Sequence, residues 1–269
     1  HMKSKRYALP YIIWALLFII GPILITLFYA FGQQEFTLEY IVKAFSGDYM
    51  SVFLSSVLTA LIVTVLCLLL GYPAAYIVSR MRANYARIVI ILMVLPMWIN
   101  FLLRTYAWRV LLDDNGLINQ FLGLLGIPPQ QLLYTQGAVI MGLMYDFLPF
   151  MILPIYTALQ KIDPALLEAS SDLGASRART FAQVIFPLSL PGIITGIVMV
   201  FMPALTTFVV TVLLGGGKYN MYGDIITEQF LVTNDWNFGS ALAVVMFLLM
   251  LVSMVIIRRI DKDGEGYLL

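Results

Sequence analysis

Six long apolar stretches, separated by short polar intervals, dominate the hydropathy pattern of this chain. A helix that crosses a bilayer needs about 20 mainly apolar residues. Apolar and polar positions do not alternate as a transmembrane β-barrel requires, so helices are the expected spanning elements. The pattern predicts an all-α integral membrane protein with about six transmembrane helices, near residues 8–31, 51–78, 88–111, 138–159, 189–213 and 238–257.

Most of the basic residues lie in alternate intervals between the predicted spans, and these intervals face the same side of the membrane. Cytoplasmic loops of membrane proteins carry an excess of Lys and Arg. Twelve basic residues lie on one side of the membrane if six spans are present: Lys3, Lys5, Arg6, Arg80, Arg82, Arg87, Lys161, Arg177, Arg179, Arg258, Arg259 and Lys262. Lys43 and Lys218 lie on the other side, with Arg104 and Arg109 near the outer end of the third span. Both termini are therefore predicted to be cytoplasmic.

The spans divide the chain into three parts. Residues 1–50 hold the N-terminal transmembrane helix and an outer loop, residues 51–257 form a transmembrane core, and residues 258–269 form a cytoplasmic tail. We do not expect the first span to be a signal peptide, because it is too long and no small-residue cleavage site follows it. His1-Met2 is expected to be a cloning remnant.

Composition supports a membrane protein and argues against an enzyme. The chain is 61% hydrophobic and 12% charged, with a net charge of +1 that predicts no nucleic-acid partner. The lone Cys67 cannot form an intramolecular disulfide, and without a histidine beyond His1 we expect neither a Ser–His pair nor a His-based metal site. The only glycine run, 215–217, lacks the frame of a nucleotide-binding P-loop. We therefore expect no cofactor on this chain.

Two outer intervals predict short helices at the membrane interface. The apolar positions of 114–136 are spaced for such a helix, ended by Gly126 and the Pro128-Pro129 pair. Residues 223–232 predict a second one, after a flexible turn at 215–217.

The longest polar interval predicted to face the cytoplasm, which we call the 163–187 loop, predicts two short helices joined at a glycine. Asp163 and Pro164 are a typical start for a helix over Ala165–Leu173, and Gly174 is suited to end it. Ser176 can cap a second helix that runs to about Ile185, before Pro187 and Pro191 mark entry to the fifth span. An ordinary capped hairpin between two membrane helices is the alternative interpretation.

The 163–187 loop resembles the EAA loop of bacterial ABC-importer permeases. That family has E-A-A, three residues, Gly, nine residues and then I-x-L-P. Here Glu168, Ala169, Gly174 and Pro187 match, while the other motif positions hold the replacements Ser170, Val184 and Phe186. The resemblance implies that Glu168, Ala169 and Gly174 contact or shape the docking surface for an ATPase and have no catalytic role.

Further segments resemble the PotB-type permeases of spermidine/putrescine importers. The resemblance covers nearly the whole chain and implies a type I ABC-importer permease fold in a multi-pass protein of the bacterial inner membrane. It implies a PotC-like sister permease, two copies of a PotA-like ATPase that carry ATP and Mg, and a PotD-like extracellular binding protein as partners. The resembling segments are L-G-Y-P-A-A-Y (70–76), L-P-M-W-I-N-F-L-L-R-T-Y-A-W (95–108), L-P-F-M-I-L-P-I-Y (148–156) and D-W-N-F-G (235–239).

Asp146 is the main candidate for a substrate cation site, and this candidacy rests on its own position in the sequence and not on the family resemblance. An acid within a membrane helix costs at least a few kcal/mol, so it should face a cavity or a partner. Pro149 cannot donate a hydrogen bond to the carbonyl of Tyr145, which would leave that oxygen beside Asp146 for an ammonium group. The alternatives are an Asp146 that pairs with an Arg of this chain or of the sister subunit, or one that is protonated.

The third span adds aromatic candidates for the same pathway. Trp98 lies near mid-depth, where tryptophan is less common than at the interface, and an aromatic face attracts an ammonium by about 0.5–2 kcal/mol. The resemblance also favours the pathway for Trp98, while lipid contact or core packing is the alternative. Asn100 and Tyr106 are weaker companions.

Several outer residues are candidates for gating or for docking of the binding protein. Glu228, Asp235 and Trp236 are the candidates, with solvated loop charges as the alternative. Arg109 and Asp113 are spaced four apart on a helix and are expected to pair. Arg104 is expected to pair with an acid of the sister chain or to reach lipid headgroups.

One position departs from the pattern of the resembling family. Members often carry an acid in the run that here reads F-V-V-T-V, and this chain has Val212 at that place. This departure bears on the substrate and leaves the transporter class untouched, so the alternative substrates are another organic cation, iron or an oxyanion. The rival class of protein is a channel or a secondary transporter. The last class would leave the 163–187 loop without a function.

Overall fold

A computed structural model describes residues 10, 11, 13–32 and 36–260, with the side chains up to Val255. Helices and no strands form the secondary structure of these residues. The all-α prediction is confirmed. In chain order the helices are α1 (Ile13–Ala30), α2 (Glu39–Ala44), α3 (Gly47–Ser79), α4 (Ala83–Trp98), α5 (Phe101–Leu112), α6 (Leu117–Leu124), α7 (Gln136–Gln160), α8 (Pro164–Asp172), α9 (Arg177–Thr206), α10 (Val209–Gly215), α11 (Tyr222–Leu231) and α12 (Trp236–Ile260).

Five helical segments are long and apolar enough to cross a bilayer: α1, α3, α7, α9 and residues Trp236–Val255 of α12. A sixth crossing is counted if α4 and the segment Phe101–Leu124 form one bent span. These elements agree with the six predicted spans in position. The chain is thus a multi-pass membrane protein.

The third predicted span is not the continuous helix expected over 88–111. Its two halves meet at an angle of 91°. Leu95–Trp98, which includes Pro96, forms a tight 3₁₀ turn, and Ile99 is extended with ψ 140°. Asn100 then starts a new helix, because its side-chain oxygen accepts a hydrogen bond from the Leu102 amide at 2.8 Å. The sequence carried both signals, a helix-breaking proline and a capping residue four positions later.

The predicted break before the fifth span is also absent. A single helix, α9, runs from Arg177 to Thr206 through Pro187 and Pro191. Residues Phe181–Ile185 form a π-helical turn directly before Pro187. This wider turn accommodates a ring that would otherwise clash with the preceding turn. At its other end α9 stops at an extended Thr207, and the predicted segment to residue 213 continues as α10.

Both outer intervals form the short helices that were predicted, and their place at the membrane interface stays a prediction. The first is α6, which ends just before Gly126 with its φ of +77°. Buried Asn119 of this helix is held by the chain that follows it: its amide donates to the Gln130 carbonyl and its oxygen accepts from the Gln130 amide, both at 2.9 Å. The second is α11, and the glycine run before it turns through Gly216 and Gly217, both with positive φ.

Contacts divide the chain into two compact units. Unit 1 comprises His1–Leu54 and Tyr222–Ser253, and unit 2 comprises Ser55–Met221 and Met254–Leu269. In unit 1, Ala30, Ala241 and Val244 form a buried cluster. Edge-on aromatic contacts join Tyr49 to Phe238 at 4.9 Å and Phe53 to Tyr222 at 5.3 Å. Tyr222 is fully buried, and this burial raises the pKa of its hydroxyl to about 12.

Unit 2 is organised around the crossing of α7 and α9. Met151 of α7 is fully buried. A Cβ added at Gly196 of α9 would lie 2.7 Å from the Met151 sulfur. A Cβ added at Gly192 would lie 2.6 Å from both the Ala158 Cβ and the Pro154 carbonyl oxygen. The G-x-x-x-G spacing therefore lets two backbones approach closely, as small residues do in membrane helices.

Part of the predicted arrangement of loops on one side of the membrane can be compared with the structure. Within unit 2, the Gln160 side chain donates to the Ser79 carbonyl at 3.1 Å, so the end of α7 meets the end of α3. Lys3, Lys5, Arg6, Lys262 and the 261–269 part of the predicted tail lie outside the described residues, as do the side chains of Arg258 and Arg259. The cytoplasmic placement of the termini stays a prediction.

We expect Gly192→Val to destabilise the α7–α9 crossing. The added side chain meets a backbone carbonyl that cannot move aside, and such overpacking costs about 1–3 kcal/mol. Thermal unfolding of the purified protein in detergent should show a lower midpoint. Gly123→Ala is the matched control, because an added Cβ there meets nothing within 4 Å. Equal midpoints for Gly192→Val and Gly123→Ala would contradict the close crossing.

Candidate coupling surface and substrate pathway

The first half of the 163–187 loop folds as its sequence predicts. The Asp163 side chain accepts a hydrogen bond from the Ala165 amide at 2.9 Å and caps α8, which begins at Pro164. The helix ends where Gly174 adopts a φ of +75°. An added Cβ at Gly174 would meet nothing within 4 Å, so only the backbone conformation demands glycine there.

The second half of the loop is the start of α9 and not a separate helix. Ser176 caps it as predicted, accepting a hydrogen bond from the Arg179 amide at 3.3 Å. The hydroxyls of Ser170 and Thr180 lie 2.8 Å apart and join α8 to α9. The exposed helix α8 is thus in direct contact with a helix long enough to cross the membrane.

The loop presents an exposed apolar surface. Glu168, Ala169 and Gly174 are all exposed, and the Leu173 side chain is 88% exposed. Exposed apolar side chains beside polar ones make this surface a candidate for contact with another molecule. The groove here has a volume of about 450 Å³ and is lined by Leu166, Ala169, Ser170, Leu173, Ala175, Arg179, Gln183 and Val184.

This surface lies at the same end of unit 2 as the loop after α3. Phe181 of α9 packs edge-on against Tyr76 near the end of α3, with ring centroids 5.6 Å apart. The Arg80 guanidinium also contacts the Tyr76 ring, at 5.3 Å from its centroid. Two of the intervals predicted to share one side of the membrane are thus together.

Asp146 pairs with Arg104. Arg104 Nη1 of α5 lies 3.3 Å from Asp146 Oδ1 of α7, and the two side chains are 10% and 2% exposed. The alternative in which Asp146 pairs with an Arg of this chain is the one that the structure shows. The prediction that Arg104 would pair with the sister chain or reach headgroups is wrong, because α5 packs on α7 and buries it.

Aromatic rings surround this pair. The Arg104 guanidinium carbon lies 5.9 Å from the centroid of Phe101 and 5.8 Å from that of Tyr145. Trp108 contacts Tyr145 edge-on, with centroids 5.4 Å apart. The predicted candidates Tyr145 and Asp146 thus share one site, and Arg104 is the functional candidate that sequence reasoning missed. No sequence signal shows which Arg of α5 faces α7.

The candidates of the third span do not share this buried environment. Trp98 lies at the break between α4 and α5, with its side chain 87% exposed. Asn100 uses its side-chain oxygen to cap α5. Tyr106 is exposed, and its hydroxyl accepts a hydrogen bond from Arg109 at 3.4 Å.

The expected Arg109–Asp113 pair does not form. Arg109 donates instead to the hydroxyls of Tyr106 and Tyr134. Asp113 is the first residue after α5 and is not helical, with ψ 156°, and its side chain accepts a hydrogen bond from the Asn115 amide. The four-residue spacing brings side chains together only while both residues are helical.

The outer candidates belong to unit 1. Asp235 caps α12, because its side chain accepts a hydrogen bond from the Phe238 amide at 3.0 Å. Trp236 contacts Phe230 with ring centroids 5.3 Å apart, and Tyr29 at 6.1 Å. Glu228 is exposed on α11. Asp235 thus has a structural role, while Glu228 remains available to a partner.

Comparison with known proteins gives consistent matches over most of the chain. The family described as "Binding-protein-dependent transport system inner membrane component" matches residues 68–263. The spermidine/putrescine transport system permease protein PotB of Escherichia coli (strain K12) is 40% identical over 242 residues, which cover 88% of each chain. The protein of that name from Haemophilus influenzae is 39% identical and covers 93% of this chain and 91% of its own length.

The fold has counterparts among solved structures. A chain of a bacterial ABC transporter that imports the acidic polysaccharide alginate superposes with a TM-score of 0.81 and 21% identity, covering 98% of this chain and 96% of that one. The same kind of transporter in complex with an alginate pentasaccharide-bound periplasmic protein gives a TM-score of 0.80. At this identity the likeness concerns the fold alone.

Proposed function

Because the chain belongs to the family of binding-protein-dependent transport system inner membrane components, we propose that it forms half of the translocation pathway of an ATP-driven spermidine/putrescine importer. The observation that carries this proposal is the 40% identity to a PotB permease over 88% of each chain. The exposed 163–187 loop gives the physical means, because it offers an apolar surface for a motor protein at one end of α9.

The proposed assembly has four kinds of protein chain. This permease pairs with a PotC-like sister, and two copies of a PotA-like ATPase bind the 163–187 loop and its counterpart. ATP and Mg bind to the ATPase, since no cofactor is proposed for this chain. A PotD-like extracellular protein delivers the substrate, and the complex resides in the bacterial inner membrane.

The proposed mechanism is alternating access. ATP binding closes the two ATPases and draws the coupling surfaces of the two permeases together. Glu168, Ala169 and Gly174 contact the ATPase or shape the surface that does. The outer cavity opens, and the binding protein releases substrate past the outer residues Glu228, Asp235 and Trp236. Hydrolysis then returns the pathway to its inward-open state.

The proposed pathway for the cation runs along α5 and α7. Asp146 supplies the negative charge that a polyamine requires, and the Tyr145 ring lies beside it. Trp98 and Tyr106 add exposed aromatic faces along the third span, with Asn100 between them. A cation gains about 0.5–2 kcal/mol from each aromatic face that it approaches closely.

We expect only polyamines to stimulate ATP hydrolysis by the assembled complex. The measurement is the ATPase rate of the complex in nanodiscs, with its binding protein and a panel of putrescine, spermidine, another organic cation, ferric citrate and an oxyanion. Stimulation by a panel member other than a polyamine would retain the importer assignment and replace its substrate. A complex with no stimulated hydrolysis would contradict the importer.

We expect Gly174→Val to uncouple transport from ATP hydrolysis. A β-branched residue is strained at a φ of +75°, and the left-handed conformation costs a non-glycine residue roughly 1–2 kcal/mol. The measurement is uptake per ATP hydrolysed in proteoliposomes. Gly174→Asn is the matched control, because asparagine tolerates this conformation and should keep most of the coupling. Equal loss in both variants would show that side-chain size and not backbone conformation matters.

We expect Asp146→Asn to reduce polyamine uptake by roughly tenfold or more, because the removal of one charge from a cation site costs more than 1.4 kcal/mol. The measurement is the initial rate of uptake at saturating binding protein. Size-exclusion chromatography of the complex should show normal assembly. Normal uptake by Asp146→Asn would remove this residue from the pathway.

A further inference from the structure

The Arg104–Asp146 pair is unusual in being buried and yet incompletely hydrogen-bonded. Arg104 Nε and Asp146 Oδ1 are both buried without a hydrogen-bond partner among the described residues, although Nη1 and Oδ1 are only 3.3 Å apart. A buried ion pair stabilises a protein when its geometry is good and its remaining donors and acceptors are satisfied. This pair fails the second condition at both of these atoms, so a purely structural role does not account for it.

The surroundings of the Arg104 guanidinium are those of a site for an organic cation. A buried carboxylate lies on one side, and the rings of Phe101 and Tyr145 lie within 6 Å of the guanidinium carbon. Trp108 holds the Tyr145 ring from its edge. A carboxylate with aromatic faces is the combination that recognises alkylammonium groups. The chain's own cation occupies this site.

We infer that Arg104 is a resident counter-ion, which occupies the Asp146 carboxylate until the ammonium group of a substrate displaces it. This inference rests on the proposed function and deepens it, because it names what sets the affinity of the site. Asp146 keeps a cationic partner at every stage, so the carboxylate is not left as an isolated charge in the membrane. Arg104 takes no part in chemistry and acts by competition.

The position of Arg104 permits such an exchange. It lies one turn into α5, a helix separated from α4 by the extended Ile99 and by a 91° change of direction. Its long side chain carries several rotatable bonds, and the Phe101 ring, one of its present contacts, lies on the same helix as Arg104. The site can therefore open without movement of α7.

Competition lowers the apparent affinity and hastens release. If Arg104 occupies Asp146 about nine-tenths of the time, the apparent dissociation constant of the substrate is about tenfold above its intrinsic value. A pathway must hold its ion weakly enough to let it leave. When Arg104 returns to Asp146, it displaces the substrate cation and so favours release of the substrate from this site.

The test is equilibrium binding of radiolabelled spermidine to the purified complex in nanodiscs without binding protein. We expect Arg104→Gln to bind spermidine about tenfold more tightly than the unchanged complex, with a slower stimulated ATPase turnover, because release is delayed. Asp146→Asn should bind it more weakly. The double variant should match Asp146→Asn, because a competitor has no effect without its carboxylate.

Arg109→Gln is the matched control. It removes the same charge from the same helix, at a side chain that donates to two tyrosine hydroxyls and pairs with no carboxylate in the described part of the chain. The dissociation constant of spermidine for this variant should stay within about twofold of that for the unchanged complex. If Arg104→Gln fails to assemble, Arg104→Met serves as the second neutral variant, because its unbranched side chain fills similar apolar volume.

The possible outcomes distinguish a failure of the counter-ion role from a failure of the proposed polyamine importer. Spermidine binding that is equal or weaker in an assembled Arg104→Gln or Arg104→Met complex overturns the counter-ion role and leaves the polyamine importer intact. The same holds if neither the unchanged complex nor Arg104→Gln binds spermidine measurably while spermidine stimulates hydrolysis. A solute panel in which polyamines fail to stimulate the unchanged complex overturns the proposed substrate and this inference together.

Discussion

The close crossing of α7 and α9 is the constraint on which the rest of unit 2 depends. Lipid tails are as apolar as the helices, so membrane helices associate through packing and not through a hydrophobic drive. Gly192 and Gly196 allow that packing by placing one backbone against Ala158, Pro154 and Met151 of the other helix. The same two helices carry Asp146 and the second half of the 163–187 loop, so one contact fixes the positions of both.

The spans and caps were predictable because their causes are local. A window of about 20 apolar residues is sufficient to indicate a crossing, and Asp163, Gly174 and Ser176 act on amides and dihedral angles within a few residues. The two wrong predictions about helix continuity concern proline. Pro96 ends a helix and Pro187 does not, because a π-helical turn precedes Pro187 and an extended residue follows the turn that contains Pro96.

The sequence was enough to locate the candidate sites, but not to identify which charged side chains pair with each other. Asp146 stands out in sequence as an acid within a membrane span, and the 163–187 loop stands out by its motif spacing. The partner of Asp146 depends on the rotation of α5 against α7, which one sequence does not contain. Arg109 and Asp113 failed to pair for a related reason, since the helix ends at Leu112, one residue before Asp113. An ion pair between two helices can be identified only from the packed structure. An ion pair along one helix can be predicted once the residues at which that helix begins and ends are known.

The length of α9 has a mechanical consequence. Its 30 residues make a rod about 45 Å long at ~1.5 Å per residue, and Gly192 lies almost at its midpoint. A rod that pivots at its middle moves its two ends by equal distances in opposite directions. A tilt of about 5° moves each end by about 2 Å, the size of the helix shifts that switch many proteins. Inward movement at the coupling end is therefore outward movement at the far end, so one pivot can close one face of the membrane as it opens the other.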